Sequence, residues 1–185
     1  NLVPVGEDQE QHLELSREIT RKFNARFGET FPEPRTLSTK TPRIRGLDGQ
    51  AKMSKSLGNT ILVNEDPKSL RKKLAGAFTD PSRLRKSDPG DPDICNIFTI
   101  HKFFSSAEEV AEINRECRSA GIGCVQCKKR LAANMDAHFE PIHQRRDELM
   151  ADPDQVWAAL ERGAKACREL AGETMEQVRK RMGLR

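Results

Sequence analysis

Two lysines and two serines stand within five residues at Lys52-Met53-Ser54-Lys55-Ser56, and Gly58-Asn59 breaks the backbone just after them. Ammonium groups, hydroxyls and successive backbone N–H groups are the donors that hold a polyphosphate. A polar run placed before the apolar Ile61-Leu62-Val63 predicts a mobile loop that enters a short strand over 60–63. Alone, such a basic turn is ordinarily a solvated surface. Here it has company, because Val3-Pro4-Val5-Gly6-Glu7-Asp8-Gln9 stands about forty residues upstream. An apolar run, a glycine and then acidic and amide side chains at a helix start make the geometry in which α/β sheets present ligand groups. The competing role for Asp8 and Gln9 is helix N-capping.

A second constellation is made of thiols. Cys95, Cys117, Cys124 and Cys127 read C-x21-C-x6-C-x2-C. The CxxC spacing lets a turn or a first helical turn present two thiolates to one metal. The pair follows Gly121-Ile122-Gly123, where a helix N-terminus favours thiolate. Four thiolates by themselves suit an iron–sulfur cluster, a zinc ion or free structural thiols equally in kind. Cys167 falls on an apolar helical seam and reads as core. His12, His101, His138 and His143 each stand singly and read as helix-surface or core residues.

The elements that must position these groups follow from periodicity. Residues 2–5 read as a buried strand, and a helix from about Gln9 places Leu15, Ile19, Phe23 and Phe27 on one face before Gly28 stops it. Residues 29–42 carry three prolines and read as loop, and 43–47 as a short edge strand. Beyond residue 64 the pattern is helical. Asp66-Pro67, Asp80-Pro81, Asp91-Pro92 and Asp152-Pro153 each offer an N-cap acceptor before a proline suited to the first helical position. Ser106 to Glu109 forms a capping box. Residues 79–91 read as an exposed loop. The last helix carries a seam, Trp157, Leu160, Ala164, Cys167, Ala171, Thr174 and Val178, spaced to pack on a partner helix. The resulting expectation is a sheet-derived domain over 1–64 and a helical bundle over 65–185.

Composition bounds the class. Charged residues make up 32% and apolar ones 36% of the 185 residues, and no window approaches a membrane span. Five cysteines in a charged chain without a secretory signal argue for reduced thiols or metal ligands in the cytoplasm. The first residues lack an initiator Met and start on a strand, which leads us to expect a piece of a longer polypeptide. Net charge is +4, but basic residues cluster at Lys68, Arg71, Lys72, Lys73, Arg83, Arg85 and Lys86, at Lys128-Lys129-Arg130, at Arg145-Arg146 and at Arg179-Lys180-Arg181. Clusters of this kind contact nucleic-acid phosphates. Aromatics are 5% and Tyr is absent, so no base-stacking platform is evident.

Taken together, Val3 to Gln9, His12, Glu14-Leu15-Ser16-Arg17 and Lys52 to Ser56 resemble the second half of the bacterial tryptophanyl-tRNA synthetases, class I enzymes. The resemblance runs through Met182-Gly183-Leu184. It implies the C-terminal part of a Rossmann-like nucleotide-binding core followed by a helical anticodon-binding domain, helix-dominated overall. It implies a tryptophan–tRNA ligase that uses ATP with Mg2+, tryptophan and tRNA-Trp, homodimeric when intact and not membrane-bound. By the same resemblance Lys52, Lys55 and Ser56 are catalytic. Gly6, Glu7, Asp8, Ile44, Lys52, Met53, Ser54, Lys55 and Ser56 bind ATP, and Val3, Val5 and Gln9 flank tryptophan. Some members carry a four-cysteine motif for a 4Fe-4S cluster, which Cys95, Cys117, Cys124 and Cys127 match with one residue fewer in the longest gap; zinc is the alternative. The family's histidine-rich first ATP signature is absent, so the expectation is a C-terminal half that is inactive alone. Two other readings stay open: a non-catalytic tRNA-binding module with a structural metal, and a tyrosyl-specific synthetase.

Overall fold

A computed structural model describes residues 2–6, 9–38, 44–49 and 52–184. By contacts the chain divides into two units, residues 1–43 with 151–185, and residues 44–150.

The first unit is organised by a β-α-β crossover. Strand β1 (Leu2–Val5) and strand β2 (Arg35–Ser38) pair in parallel, with Leu2 opposite Arg35 and Val5 opposite Ser38. Parallel neighbours need a long connection, and helix α1 (Glu10–Phe27) lies within it. β2 corrects the loop expected over 29–42: Arg35–Ser38 is free of proline and finds a partner edge that local sequence does not reveal. The buried face of α1 also differs from the expected one. Leu13 and Thr20 are buried, whereas Leu15 and Ile19 are 54% and 60% exposed. Arg17 explains the turn of the helix, since its guanidinium donates to the Pro34 carbonyl at 2.9 Å and to Thr36 Oγ1 at 2.7 Å. Phe23 packs on Phe27 and Phe31, with centroids 5.0 and 4.9 Å away.

Helix α6 (Pro153–Arg181) belongs to the same unit. Its C-terminal end docks through buried Val178 and through Arg181, which reaches the Phe27 carbonyl. Much of the rest of its seam is open: Trp157 is 65% and Leu160 57% exposed, and Cys167 is exposed rather than core. Periodicity establishes an apolar stripe but does not supply a partner.

The second unit holds the main core, built from Leu47, Leu70, Leu74, Ile97, Phe98, Ile113, Leu131 and Met135 with their neighbours. Four helices supply it: α2 (Pro67–Gly76), α3 (Asn96–Phe104), α4 (Ala107–Arg118) and α5 (Cys124–Ala151). Asp66 caps α2 by accepting from Lys68 N and Ser69 N, both at 3.0 Å. Ser106 caps α4 through Glu109 N, while the Glu109 carboxylate turns away to Asn134. Asp80 and Asp91 start no helix. Buried Asp80 instead accepts from Ser82 N, Ser82 Oγ and Asp91 N, closing the 79–91 loop on itself. These bonds, Ser82 first, hold its carboxyl below the usual range. The strand expected over 60–63 is absent, and the 43–47 edge reduces to one antiparallel bridge, Arg45 with Lys52.

Between α4 and α5, Ala120 takes φ +59°. That left-handed conformation costs a non-glycine residue about 1–2 kcal/mol, partly offset by the extra unfolded-state freedom glycine brings. Ala120→Gly is expected to stabilise the unit by roughly 0.5 kcal/mol, read as a higher urea midpoint. A lower midpoint would count against this strain.

Candidate functional site

The lysine loop is presented by a clamped turn in the second unit. Arg45 and Lys52 bridge its two arms, and Met53 N donates to the Ile44 carbonyl at 3.4 Å. Lys55–Leu57 make one 3₁₀ turn, closed by Gly58 at φ +64°. The clamp is Asn59. Its buried side chain accepts from Ser54 N at 2.8 Å and donates to Asp48 Oδ2 at 2.9 Å, while its carbonyl accepts from Leu47 N at 2.8 Å. Gly46 makes room for it, since a Cβ there would stand 2.0 Å from Asn59 Nδ2. The carbonyl of Gly46 in turn accepts from buried Asn96 Nδ2 at 2.8 Å, which ties the loop base to α3.

Above this base the loop tip is open. Lys52, Lys55 and Ser56 are exposed, and Ser54 Oγ lies 2.9 Å from Ser56 Oγ. The Lys55 ammonium has no hydrogen-bond or ion-pair partner among the described residues. A rigid base with a free cation at its tip can meet an anion without first breaking an internal pair. Asn59→Ala removes the clamp and leaves Ser54 N and the Asp48 carboxylate without this partner. If the loop holds a phosphate, as its residue types lead us to expect, the step it serves in the full-length protein should slow about tenfold, about 1.4 kcal/mol of lost positioning. Unchanged steady-state kinetics would show that Asn59 does not position the loop.

In the first unit, Val3 and Val5 are partly buried along β1, and Gly6 accepts from Gln9 N at 3.0 Å as the chain enters α1. Gln9 occupies the N-cap position of α1 without a side-chain capping bond; its Oε1 lies 2.9 Å from His12 Nδ1. Glu7 and Asp8 lie outside the described residues.

The four thiols of the motif line one cavity with Arg83, Ile97, Phe98, Ile113 and Ile122. Cys95 precedes α3, Cys117 sits in the last turn of α4, and Cys124 and Cys127 form the first turn of α5. Burial raises Cys127 to about 12, reinforced by the charges of the other three sulfurs. Burial also raises Cys95 and Cys117, the latter pulled back by the Arg83 guanidinium. Among the described residues no group of three His, Cys, Asp or Glu is arranged to hold a metal ion. His101 is fully buried, with Nδ1 2.7 Å from Ser105 Oγ and Nε2 3.2 Å from the Cys127 carbonyl. Burial lowers its pKa and keeps the ring neutral.

The basic clusters divide into tied and untied groups. Arg71 pairs with Asp136, Lys73 with Glu65, Arg130 with Glu112 and Arg145 with Glu148. Lys128 caps the end of α2 through the carbonyls of Ala75 and Ala77, at 2.8 and 2.7 Å. The side chains of Arg85, Lys86 and Lys129 have no partner among the described residues. With Arg83 they line a concavity of about 510 Å³ beside the first turn of α5.

A model of the tRNA synthetases class I (W and Y) matches residues 1–140. The chain belongs to that family. It is 52% identical to the tryptophan–tRNA ligase of Deinococcus radiodurans over 99% of its own length and 56% of that relative. It is 46% identical to the ligase of Aquifex aeolicus over 98% of its length and 46% of that relative. A crystal structure of tryptophanyl-tRNA synthetase from Campylobacter jejuni complexed with ADP and tryptophan superposes with a TM-score of 0.81. That chain is 34% identical, with all of this chain and 57% of the other covered. The chain thus spans about half the length of the curated relatives it matches.

Within this family frame, several positioning residues carried no sequence signal of their own. Asn59 read as a backbone break and Gly46 as part of the 43–47 edge strand, while Asn96 was not singled out. The nearest available cue was the density of Gly, Asn and Asp around the lysines.

Proposed function

We propose that the chain is part of a tryptophan–tRNA ligase, which activates tryptophan with ATP and passes the aminoacyl group to tRNA-Trp. The observation that carries the reading is the lysine loop, a clamped base holding the exposed Lys55 at its tip, in a chain of this family. On this reading β1, α1 and β2 belong to a Rossmann-like core, 1–64, and the helices of 65–185 to an anticodon-binding bundle. The tryptophan carboxylate attacks the α-phosphorus of ATP and pyrophosphate leaves, with Mg2+ entering as the nucleotide's counterion. The protein positions the reactants and stabilises charge on the leaving group. Lys52, Lys55, Ser54 and Ser56 serve the phosphates, and Ile44 and Met53 the adenine. Gly6, Glu7 and Asp8 serve the ribose, and Val3, Val5 and Gln9 the tryptophan. The untied Arg85, Lys86 and Lys129 contact tRNA phosphates. The intact enzyme is a cytoplasmic homodimer.

The thiol set is read as the holder of a 4Fe-4S cluster, with zinc as the alternative. Two features support the fit. Four thiols line one cavity, a donor set that an iron–sulfur cluster and a zinc ion both accept. Arg83, which lines that cavity, has a buried Nε with no hydrogen-bond partner among the described residues. When bound, the cluster would tie α3, α4 and α5 together and offer a one-electron couple.

ATP–pyrophosphate exchange by the full-length protein with tryptophan and with tyrosine tests the activity. Exchange with tyrosine alone, or with neither, would replace it with the tyrosyl or the non-catalytic reading. Iron and acid-labile sulfide on anaerobically purified protein test the cluster. A colourless sample with one zinc per chain would reject it.

A further inference from the structure

We propose that Lys73 on α2 is a positioning residue for the lysine loop, holding the arm by which the loop returns to the body of its unit. For the reaction it serves, the inference rests on the ligase reading above. The returning arm is 60–65, and it forms no strand, so its backbone groups are not satisfied by a neighbouring edge. Side chains take that place. The Thr60 carbonyl accepts from Lys73 Nζ at 3.1 Å, and the same ammonium pairs with the Glu65 carboxylate. Glu65 Oε2 in turn accepts from Leu62 N at 3.3 Å, and the Leu62 carbonyl accepts from Glu65 N at 3.0 Å. From α5, His143 Nε2 donates to the Val63 carbonyl at 2.8 Å.

The place of the Lys73 bond in the chain gives it weight. Thr60 directly follows Asn59, whose carbonyl accepts from Leu47 N and whose side chain accepts from Ser54 N. Two consecutive carbonyls are therefore pinned in different directions, one to the entering arm and the next to α2. Any shift of Thr60 carries Asn59 with it, and through Asn59 the N–H of Ser54 in the loop itself. Exposure separates the two side chains that hold the arm. The side chain of Glu65 is 10% and that of Lys73 32% exposed, so water is a poor substitute for this cation. Val63 is 53% exposed, and there water can replace the imidazole of His143. Engagement by Thr60 and Glu65 also sets Lys73 apart from the untied Arg85, Lys86 and Lys129. The competing account is a purely structural brace, which would lower the melting temperature and leave catalysis alone.

Two measurements on the full-length protein test the role. In pyrophosphate exchange with tryptophan, Lys73→Met is expected to lower kcat about tenfold while KM for ATP changes less than about threefold. Lys73→Arg, whose guanidinium can serve both acceptors, is expected to recover most of that loss. In trypsin cleavage after Lys55, read by mass well below the melting temperature, Lys73→Met is expected to speed cutting about tenfold, because the loop opens more often. Lys73→Met strands the Glu65 carboxylate, so Lys73→Met/Glu65→Gln makes the same loss without an unpaired charge and is expected to match it in both measurements. His143→Ala is expected to stay within about twofold of the wild type in each. Wild-type kcat and wild-type cleavage in the double variant overturn the proposal, whatever the melting temperature does. A loss of tRNA affinity with exchange and cleavage unchanged overturns it too, and returns Lys73 to the nucleic-acid face. Absence of tryptophan-dependent exchange in the wild type rejects the ligase reading alone, since the cleavage rates still decide whether Lys73 holds the arm.

Discussion

On the proposed ligase reading, Lys55→Ala in the full-length protein is expected to slow tryptophan activation by about 10²-fold or more while ATP affinity changes little. The structure gives the reason for the asymmetry. Lys55 is exposed at the tip of its turn, and its ammonium is tied to nothing among the described residues. It therefore contributes little to the fold, and its removal leaves the Asn59 clamp intact. On that reading its charge is useful only when a departing pyrophosphate gathers charge near it. A contact of that kind is stronger in the transition state than in the ground state, so its loss appears in kcat rather than in binding. A factor of 10² corresponds to about 2.7 kcal/mol, comparable to removing one well-placed donor from a charged transition state. Pyrophosphate exchange and ATP binding, measured separately, check it. An exchange rate within twofold of the wild type would remove Lys55 from the reaction, and a matching loss of ATP affinity would make it a ground-state anchor.

Leu131→Ala is expected to destabilise the second unit by about 2–5 kcal/mol. Leu131 has no exposed surface and sits in the cluster with Leu70, Leu74, Ile113 and Met135. It lies one helical turn beyond Cys127 on α5, so it shares that residue's face. Truncation removes the transfer energy of the lost atoms and leaves a cavity that the surrounding core can only partly fill. For a unit of this size the thermal midpoint should fall by roughly 10 °C or more. Val125→Ala supplies the contrast within the same helix, because Val125 is 69% exposed and its truncation should stay within about 0.5 kcal/mol. Similar losses in the two variants would mean that α5 is not seated as described.

The helix starts at Asp66 and Ser106 were legible because a cap is a local device, an acceptor placed two or three residues from the N–H it serves. Asp80 and Asp91 carry the same Asp-Pro signature, and there it misled. Asp80 finds its acceptor's role in closing a loop onto Asp91 N, eleven residues away, and no helix follows Pro81. The edge over 60–63 failed for a related reason: a strand exists only where another edge accepts it. β2 is the reverse case, formed by pairing with β1 in spite of the prolines around it.

The candidate sites divide along the same line. Lysine and serine types at close spacing singled out the loop at 52–56, and the CxxC spacing singled out the thiols, because both signals are local in the chain. Which cation faces a sulfur, which glycine lets it approach and which amide clamps the loop depend on residues from separate elements, such as Arg83 and Gly90 with Cys117, or Asn59 with Gly46 and Asp48. Linear order by itself determined the chemistry this chain can offer, since reactivity resides in side-chain types. Tertiary structure alone decided which of those groups are tied internally and which are left for a ligand, since burial and pairing are properties of neighbours that the chain brings together only on folding.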